Sequence, residues 1–272
     1  MYKIGQGVYP SDCESAGVEV GADRTLNCLV DSEGFCISVS WDDISYTATN
    51  ESLTPVEGSC TLPTFIPDTQ IGQMVASDGA SDDNYGHSVS ISGDTAIIGA
   101  PFDDDQGDFS GSAYIFTRSG GSWSQQAKLT KNGAATYDHF GSSIDLSEET
   151  AIIGSNGNSA AYIFTRSGST WTEQDELISS DGASNNFGYS VALSGNTAVI
   201  GAHLDGANGP GAAYVFTRSG SEWSQQSKLE LGTPYPFTDD YFGINLDMSG
   251  DTAIIIANGP YGSSANIFQP SL

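Results

Sequence analysis

The octapeptide that runs from Ala113 through Tyr114, Ile115, Phe116, Thr117, Arg118 and Ser119 to Gly120 recurs at Ala161 to Gly168. It returns with one change at Ala213 to Gly220 and, degraded, as Ala265-Asn266-Ile267-Phe268. A unit copied at a period of about fifty residues builds a fold from supersecondary pieces that cannot bury their faces alone. Residues 68–272 are therefore read as one array of four repeats.

Each copy resolves into strands. Gly86 to Ser92 alternates apolar with small polar residues, the period-two pattern of a strand. The turn Ser92-Gly93-Asp94 reverses the chain into Thr95 to Ala100, apolar enough to be covered on both faces. Ser112 to Thr117 and Trp123 to Leu129 complete a second hairpin around Ser119-Gly120, and the polar last strand suits a wet edge. No segment carries a sustained helical period. A four-stranded meander repeated radially is a propeller blade, so the expected class is all-β, a four-bladed β-propeller of four-stranded antiparallel blades. The fourth repeat ends after three strands, Gly243 to Met248, Thr252 to Ala257 and Ser264 to Phe268. The missing strand is found at the other end, where Gln70 to Ala80 aligns with Gln174 to Ala183 when Met74 is set on Leu177. An N-terminal strand around Met74 is thus expected to close the ring against the last repeat. The rival is donation of that strand to a neighbouring chain.

Tyr85-Gly86, Phe140-Gly141, Phe187-Gly188 and Phe242-Gly243, followed by Gly99-Ala100-Pro101, Gly154-Ser155 and Gly201-Ala202, resemble the FG-GAP repeat of integrin α-chain propellers. The resemblance implies an extracellular β-propeller engaged in adhesion or ligand binding, often with calcium, and some relatives are lectins or accessory domains of secreted hydrolases. One element of the family pattern is missing. Its Asp-x-Asp-x-Asp-Gly calcium loop is replaced by Ser92-Gly93-Asp94, Glu148-Glu149, Ser194-Gly195-Asn196 and Ser249-Gly250-Asp251. Such turns cannot wrap a cation that takes six to eight oxygens. A different calcium candidate is the acidic loop with Asp103, Asp104, Asp105 and Asp108, whose plain alternative is a solvated loop.

Asp83, Asp138, Asn185 and Asp240 precede each aromatic-glycine pair by two positions. They read as a polar ring for cations or sugar hydroxyls, or as turn caps accepting backbone N–H groups; capping is the simpler account because every blade needs it. Arg118, Arg166 and Arg218 hold equal phase and are expected to pair with acidic neighbours. Tyr114, Tyr162 and Tyr214 with Phe116, Phe164 and Phe216 share a strand face and read as inter-blade packing. Trp123, Trp171 and Trp223 open the outer strands, as packing or as sugar-stacking surfaces.

Residues 1–67 do not repeat and hold Cys13, Cys28, Cys36 and Cys60. A small β module is expected there, with strands Thr25 to Val30 and Phe35 to Trp41 and a stiff linker from Leu62 to Pro67. Four cysteines allow three pairings; Cys28 with Cys36 and Cys13 with Cys60 is the preferred one. An even count without Cys-x-x-Cys spacing favours disulfides over zinc, and Asn50-Glu51-Ser52 is a glycosylation sequon.

A net charge of −26 with eight basic residues argues against nucleic-acid and anionic-membrane partners. No stretch is apolar enough to span a bilayer, and Met1 to Ile4 begin no signal-peptide core. The expected placing is extracellular or cell-surface, with a virion or tail-fibre surface as the alternative. His87, His139 and His203 fall in different repeat phases, and no nucleophile, zincin or phosphate-loop motif is present, so no enzyme is expected. The preferred function is a surface-displayed structural or adhesive protein whose N-terminal module anchors or assembles it, even into a fibre, with protein or glycan as partner. The alternatives are a lectin-like or calcium-dependent receptor-binding module, and a hydrolase accessory domain.

Overall fold

Tight reversals set the rhythm of the chain. Between the first two strands of each repeat one residue must take a left-handed conformation: Gly93 (φ 58°), Gly195 (φ 57°) and Gly250 (φ 59°) take it freely, and Glu148 (φ 53°) takes it in the second repeat. The structure, a computed structural model, describes residues 72–182, 186–205, 210–231, 240–259 and 262–269. All four cysteines, Trp41, Asn50, the linker and Asn185 lie outside the described residues. The chain divides into two compact units, 1–71 and 72–272, and the described residues all belong to the second.

Each repeat folds as an antiparallel meander, and the described residues contain no helix. The first blade comprises β1 (Ser88–Ser92), β2 (Thr95–Ala100), β3 (Ser112–Ser119) and β4 (Ser122–Leu129). The second comprises β5 (Phe140–Ser147), β6 (Thr150–Ser155), β7 (Ala160–Ser167) and β8 (Thr170–Leu177). The third comprises β9 (Ser190–Ser194), β10 (Thr197–Ala202), β11 (Ala212–Ser219) and β12 (Glu222–Leu229). The fourth has three strands, β13 (Asn245–Ser249), β14 (Thr252–Gly259) and β15 (Gly262–Phe268). The second strands are buried end to end in blades one to three, matching their unbroken apolar runs.

Neighbouring blades pack face to face with β1 beside β5, β5 beside β9 and β9 beside β13. Ile97 and Ile115 of blade one meet Ile144 and Leu146 of blade two. Ile152 and Ile163 meet Val191 and Leu193 of blade three, and Val199 and Val215 meet Leu246 and Met248 of blade four. Blades two, three and four thus each insert a two-residue apolar plug from the first strand into a socket on the blade before. Glycine permits the approach. A Cβ on Gly141, Gly188 or Gly243 would overlap the carbonyl oxygen of Ser112, Ala160 or Ala212.

Residues 72–76 dock on blade one. Met74 and Ala76 pack against Ile98, Ala100, Tyr114 and Phe116, as Leu177 packs with Phe187, Tyr214 and Phe216 two interfaces later. Ser77 N–H donates to Gln125 Oε1 at 2.9 Å and Ser180 N–H to Gln225 Oε1 at 2.9 Å. The expected ladder to the last blade is not formed: residues 72–76 are no strand, and β15 pairs with β14 alone among the described residues. No packing of β13 on β1 matches that between the other first strands. The plug of blade one, Val89 and Ile91, is 68% and 63% exposed, and the counterpart socket on blade four, Ile254 and Ile267, is 44% and 71% exposed.

Candidate functional site

The end of the blades that carries the β2–β3 type loops and the inter-blade crossovers gathers most of the polar residues singled out in the sequence. Asp103 follows β2 and is buried; Tyr114 Oη donates to its Oδ2 at 2.8 Å. Lys128 stands directly across the β3–β4 ladder from Tyr114. Its Nζ lies 2.9 Å from Asp103, 2.9 Å from Asp78 and 2.5 Å from Asp105, and 5.3 Å from the Tyr114 ring centroid. Burial works against the Lys128 charge, but the bonds to Asp103, Asp105 and Asp78 outweigh it and hold the ammonium above its ordinary range. Burial and the Asp103 carboxylate push the Tyr114 hydroxyl up as well.

This arrangement bears on the calcium candidate. Calcium needs several free oxygens turned to one point, and here the carboxylates of Asp103 and Asp105 turn to a lysine of the same chain. Asp104 and Asp108 do not join them, and no group of three or more His, Asp or Glu among the described residues is arranged to hold a metal ion. The loop as folded does not fit the cation.

The third blade repeats the network. Tyr214 Oη lies 2.8 Å from Asp205 Oδ2 and 2.8 Å from Asp181 Oδ2, within reach of both for its single donor proton, and Lys228 Nζ lies 2.9 Å from Asp181, 2.5 Å from Asp205 and 5.5 Å from the Tyr214 ring centroid. Burial opposes the Asp181 charge, yet Lys228 and Tyr214 bring its carboxyl down to about 2. In the second blade the signs exchange places. Glu176 faces Tyr162 across the ladder and accepts its hydroxyl at 2.7 Å, while the ammonium over the ring, at 5.6 Å, is Lys131 from the crossover, paired with buried Asp138 at 3.0 Å.

Asp83 and Asp138 each accept the N–H three residues earlier, from Ala80 and Ala135, at 2.6 Å. That is the geometry of a turn cap. The Asp240 carbonyl accepts Asn258 N–H at 2.8 Å, as the carbonyls of Asp83 and Asp138 accept Phe102 N–H at 3.2 Å and Gly157 N–H at 3.1 Å. Arg118 pairs with Asp94, Arg166 with Glu149, and Arg218 with the amide of Asn196. Each guanidinium also lies about 5.5 Å from the ring of Trp123, Trp171 or Trp223. Trp171 and Trp223 are buried, which removes them as sugar platforms.

Three features were not foreseen from sequence. Every outer hairpin carries a bulge at the same place, and the extra residue is Gln126, Gln174 or Gln226. The bulge aims Gln126 at the next blade, where Trp171 Nε1 donates to its Oε1 at 2.9 Å. One interface on, the same two groups, Gln174 Oε1 and Trp223 Nε1, are buried without a partner. Second, Asp145 on β5 ties three first strands together, accepting Ser90 Oγ at 2.9 Å and Leu193 N–H at 2.7 Å. Burial raises its carboxyl pKa, those hydrogen bonds oppose the rise, and the Asp247 charge adds to it. The only sequence signal was a carboxylate where blades one and three have Ser90 and Ala192.

Third, the loops 101–111 and 133–139 display an aromatic cluster. Phe102 and Phe109 lie 5.2 Å apart by ring centroids, Phe109 and Tyr137 5.5 Å, and Phe102 and His139 5.5 Å, with Phe102, Phe109 and Tyr137 all exposed. Phe109, Tyr137 and His139 take left-handed backbone angles, φ 53°, 65° and 54°. Backbone bonds hold them: Tyr137 N–H donates to Asp108 O at 2.8 Å, His139 N–H to Phe109 O at 3.0 Å and Phe140 N–H to Ser110 O at 3.0 Å. The other histidines stand apart from this cluster. His87 meets Asn84, and His203 is buried against Tyr189 at 4.0 Å, its imidazole pKa lowered by burial.

Among solved structures, Sqt1 of Saccharomyces cerevisiae is 7% identical, matching 65% of this chain and 43% of its own, with a TM-score of 0.41, too slight a likeness to carry an argument. No curated protein sequence matches the chain. The model of the FG-GAP repeat matches residues 69–116, 123–169 and 171–216. Those segments make up more than half of the chain, the second and third each running from the outer strand of one blade, β4 or β8, into the third strand of the next, and on that ground the protein belongs to the FG-GAP repeat family.

Proposed function

We propose that the protein is an extracellular or surface-displayed structural or adhesive module, its repeat array turned outward and its N-terminal segment anchoring or assembling it. The observation that supports this reading is the exposed aromatic cluster of Phe102, Phe109 and Tyr137 around His139. Contiguous exposed apolar groups on a rigid scaffold are the kind of surface that meets a partner. The carboxylates of Asp83, Asp103, Asp138 and Asp205, by contrast, are engaged by lysines, tyrosines and backbone N–H groups within the chain. A solid-phase adhesion assay on immobilised proteins and glycans tests this. The double substitution Phe109→Ala and Tyr137→Ala is expected to cut retention at least tenfold with little change in Tm; unchanged retention overturns the reading.

The same cluster favours a lectin-like activity as second reading, because aromatic rings beside carboxylates such as Asp104 and Asp108 suit sugar faces and hydroxyls. Binding in that case does not depend on calcium, since Asp103 and Asp105 of the acidic loop turn to Lys128. Glycan-array signal that survives a chelator and disappears in the double variant is the expected outcome. Signal abolished by chelator alone restores the calcium-dependent alternative.

A further inference from the structure

The three interfaces between neighbouring blades are made by the same groups. The earlier blade offers a glycine on its second strand, and the later blade lays the carbonyl of its Phe-Gly turn against it. Gly99 faces Gly141, Gly154 faces Gly188 and Gly201 faces Gly243, so closely that a Cβ on the first glycine of each pair would overlap the oxygen of the second. A first-strand serine of the earlier blade donates to that carbonyl: Ser88 to Gly141 at 2.8 Å, Ser143 to Gly188 at 2.8 Å and Ser190 to Gly243 at 2.7 Å. Arginines reach back as well, Arg166 Nη1 to Thr95 at 3.0 Å and Arg218 Nη1 to Thr150 at 3.1 Å.

The two faces that no other described blade covers carry unequal halves of this interface. Blade one presents the later blade's half intact. Gly86 has open space around it, Val89 and Ile91 stand exposed, and Arg118 has no threonine of another blade beside it among the described residues. Blade four presents the earlier blade's half altered. Ile254, Ile267 and Thr252 keep their places, but Asn245 stands where the others have serine and Ile256 where the others have glycine. A docking blade would have to drive its Phe-Gly carbonyl into that β-carbon.

We propose that the open face of blade one is an interaction surface for a β-blade of this same repeat type that carries glycine at the Gly99 position, and that Ile256 bars the chain's own fourth blade, in the same or another copy, from occupying it. The warrant is continuity with an interface the molecule builds three times. The partner is a glycine-bearing blade because the plug, the turn and the arginine of blade one are complementary to that face and to no other among the described residues.

Light scattering and thermal melting of the full chain test the proposal by one β-carbon. Ile256→Gly is expected to gain either a doubled mass, from docking a second copy, or a Tm higher by about 3 °C, from docking its own blade one. Either gain is lost when Val89→Asp is added. Ile256→Ala, which keeps the obstructing Cβ, is expected to gain neither. A graft of Asn245→Ser, Ile254→Val and Ile256→Gly, copying the face of blade three, answers the same question should the single glycine fail to fold. Equal behaviour of the alanine and glycine variants, or self-association of the unaltered chain that Val89→Asp abolishes, overturns the proposal. Adhesion through the aromatic cluster is unaffected by these changes, so the two readings fail separately.

Discussion

Lys128 and Lys228 each lie over a tyrosine ring and against an aspartate that is 3% exposed, so deleting either ammonium leaves a carboxylate with a phenol and little water. Lys128→Met is expected to destabilise the chain by about 3 kcal/mol, the low end for a buried charge stranded by loss of its partner, and adding Asp103→Asn should return part of the loss. Equilibrium denaturation measures both. Acid tests the same network in blade three. A carboxyl held at about 2 when folded and 3.8 otherwise contributes stability that is present above pH 3.8 and disappears as pH falls through 2. Asp181→Asn is expected to flatten the fall of Tm over that window. The acidic loop was visible in the sequence, but its destination was not. Lys128 lies on another strand, and only the β3–β4 register sets it across from Tyr114. The turn caps were legible because their partners are local, three residues away.

A strand is dictated by its own alternation, which is why β2, β6 and β10 stand where the apolar runs place them. What a strand's glycines are for depends on the neighbouring blade. Gly86 and Gly141 occupy the same repeat position with φ of 91° and 89°, yet a Cβ meets nothing at the first and the Ser112 carbonyl at the second. Gly86→Ala is expected to cost about 1–2 kcal/mol, the left-handed penalty alone. Gly141→Ala is expected to cost at least twice as much, and comparing the two by urea denaturation isolates the inter-blade contact. The bulge at Gln126, Gln174 and Gln226 was hidden for a different reason: an extra residue in one strand of a pair shows only once the register of both is known.

At the scale of the whole array, stability is carried by nearest-neighbour faces, and among the described residues blades one and four each have one face without a neighbouring blade. Amide hydrogen exchange is expected to run fastest in β1 and in β13 to β15 and slowest in β6, β7 and β10, with a spread of at least tenfold; uniform protection would argue for a cooperative ring. The four-fold repetition was plain in the primary structure. Closure was not, because it turns on a strand whose partner lies at the far end of the chain, and no local pattern reports whether that ladder forms. The exchange of charge in blade two has its own corollary. Blades that look interchangeable by sequence are keyed for order: a shuffled protein carrying blade one's lysine-bearing hairpin in second place would set Lys128 and Lys131 over one phenol ring, so the succession of blades is written in electrostatics as well as in the covalent chain.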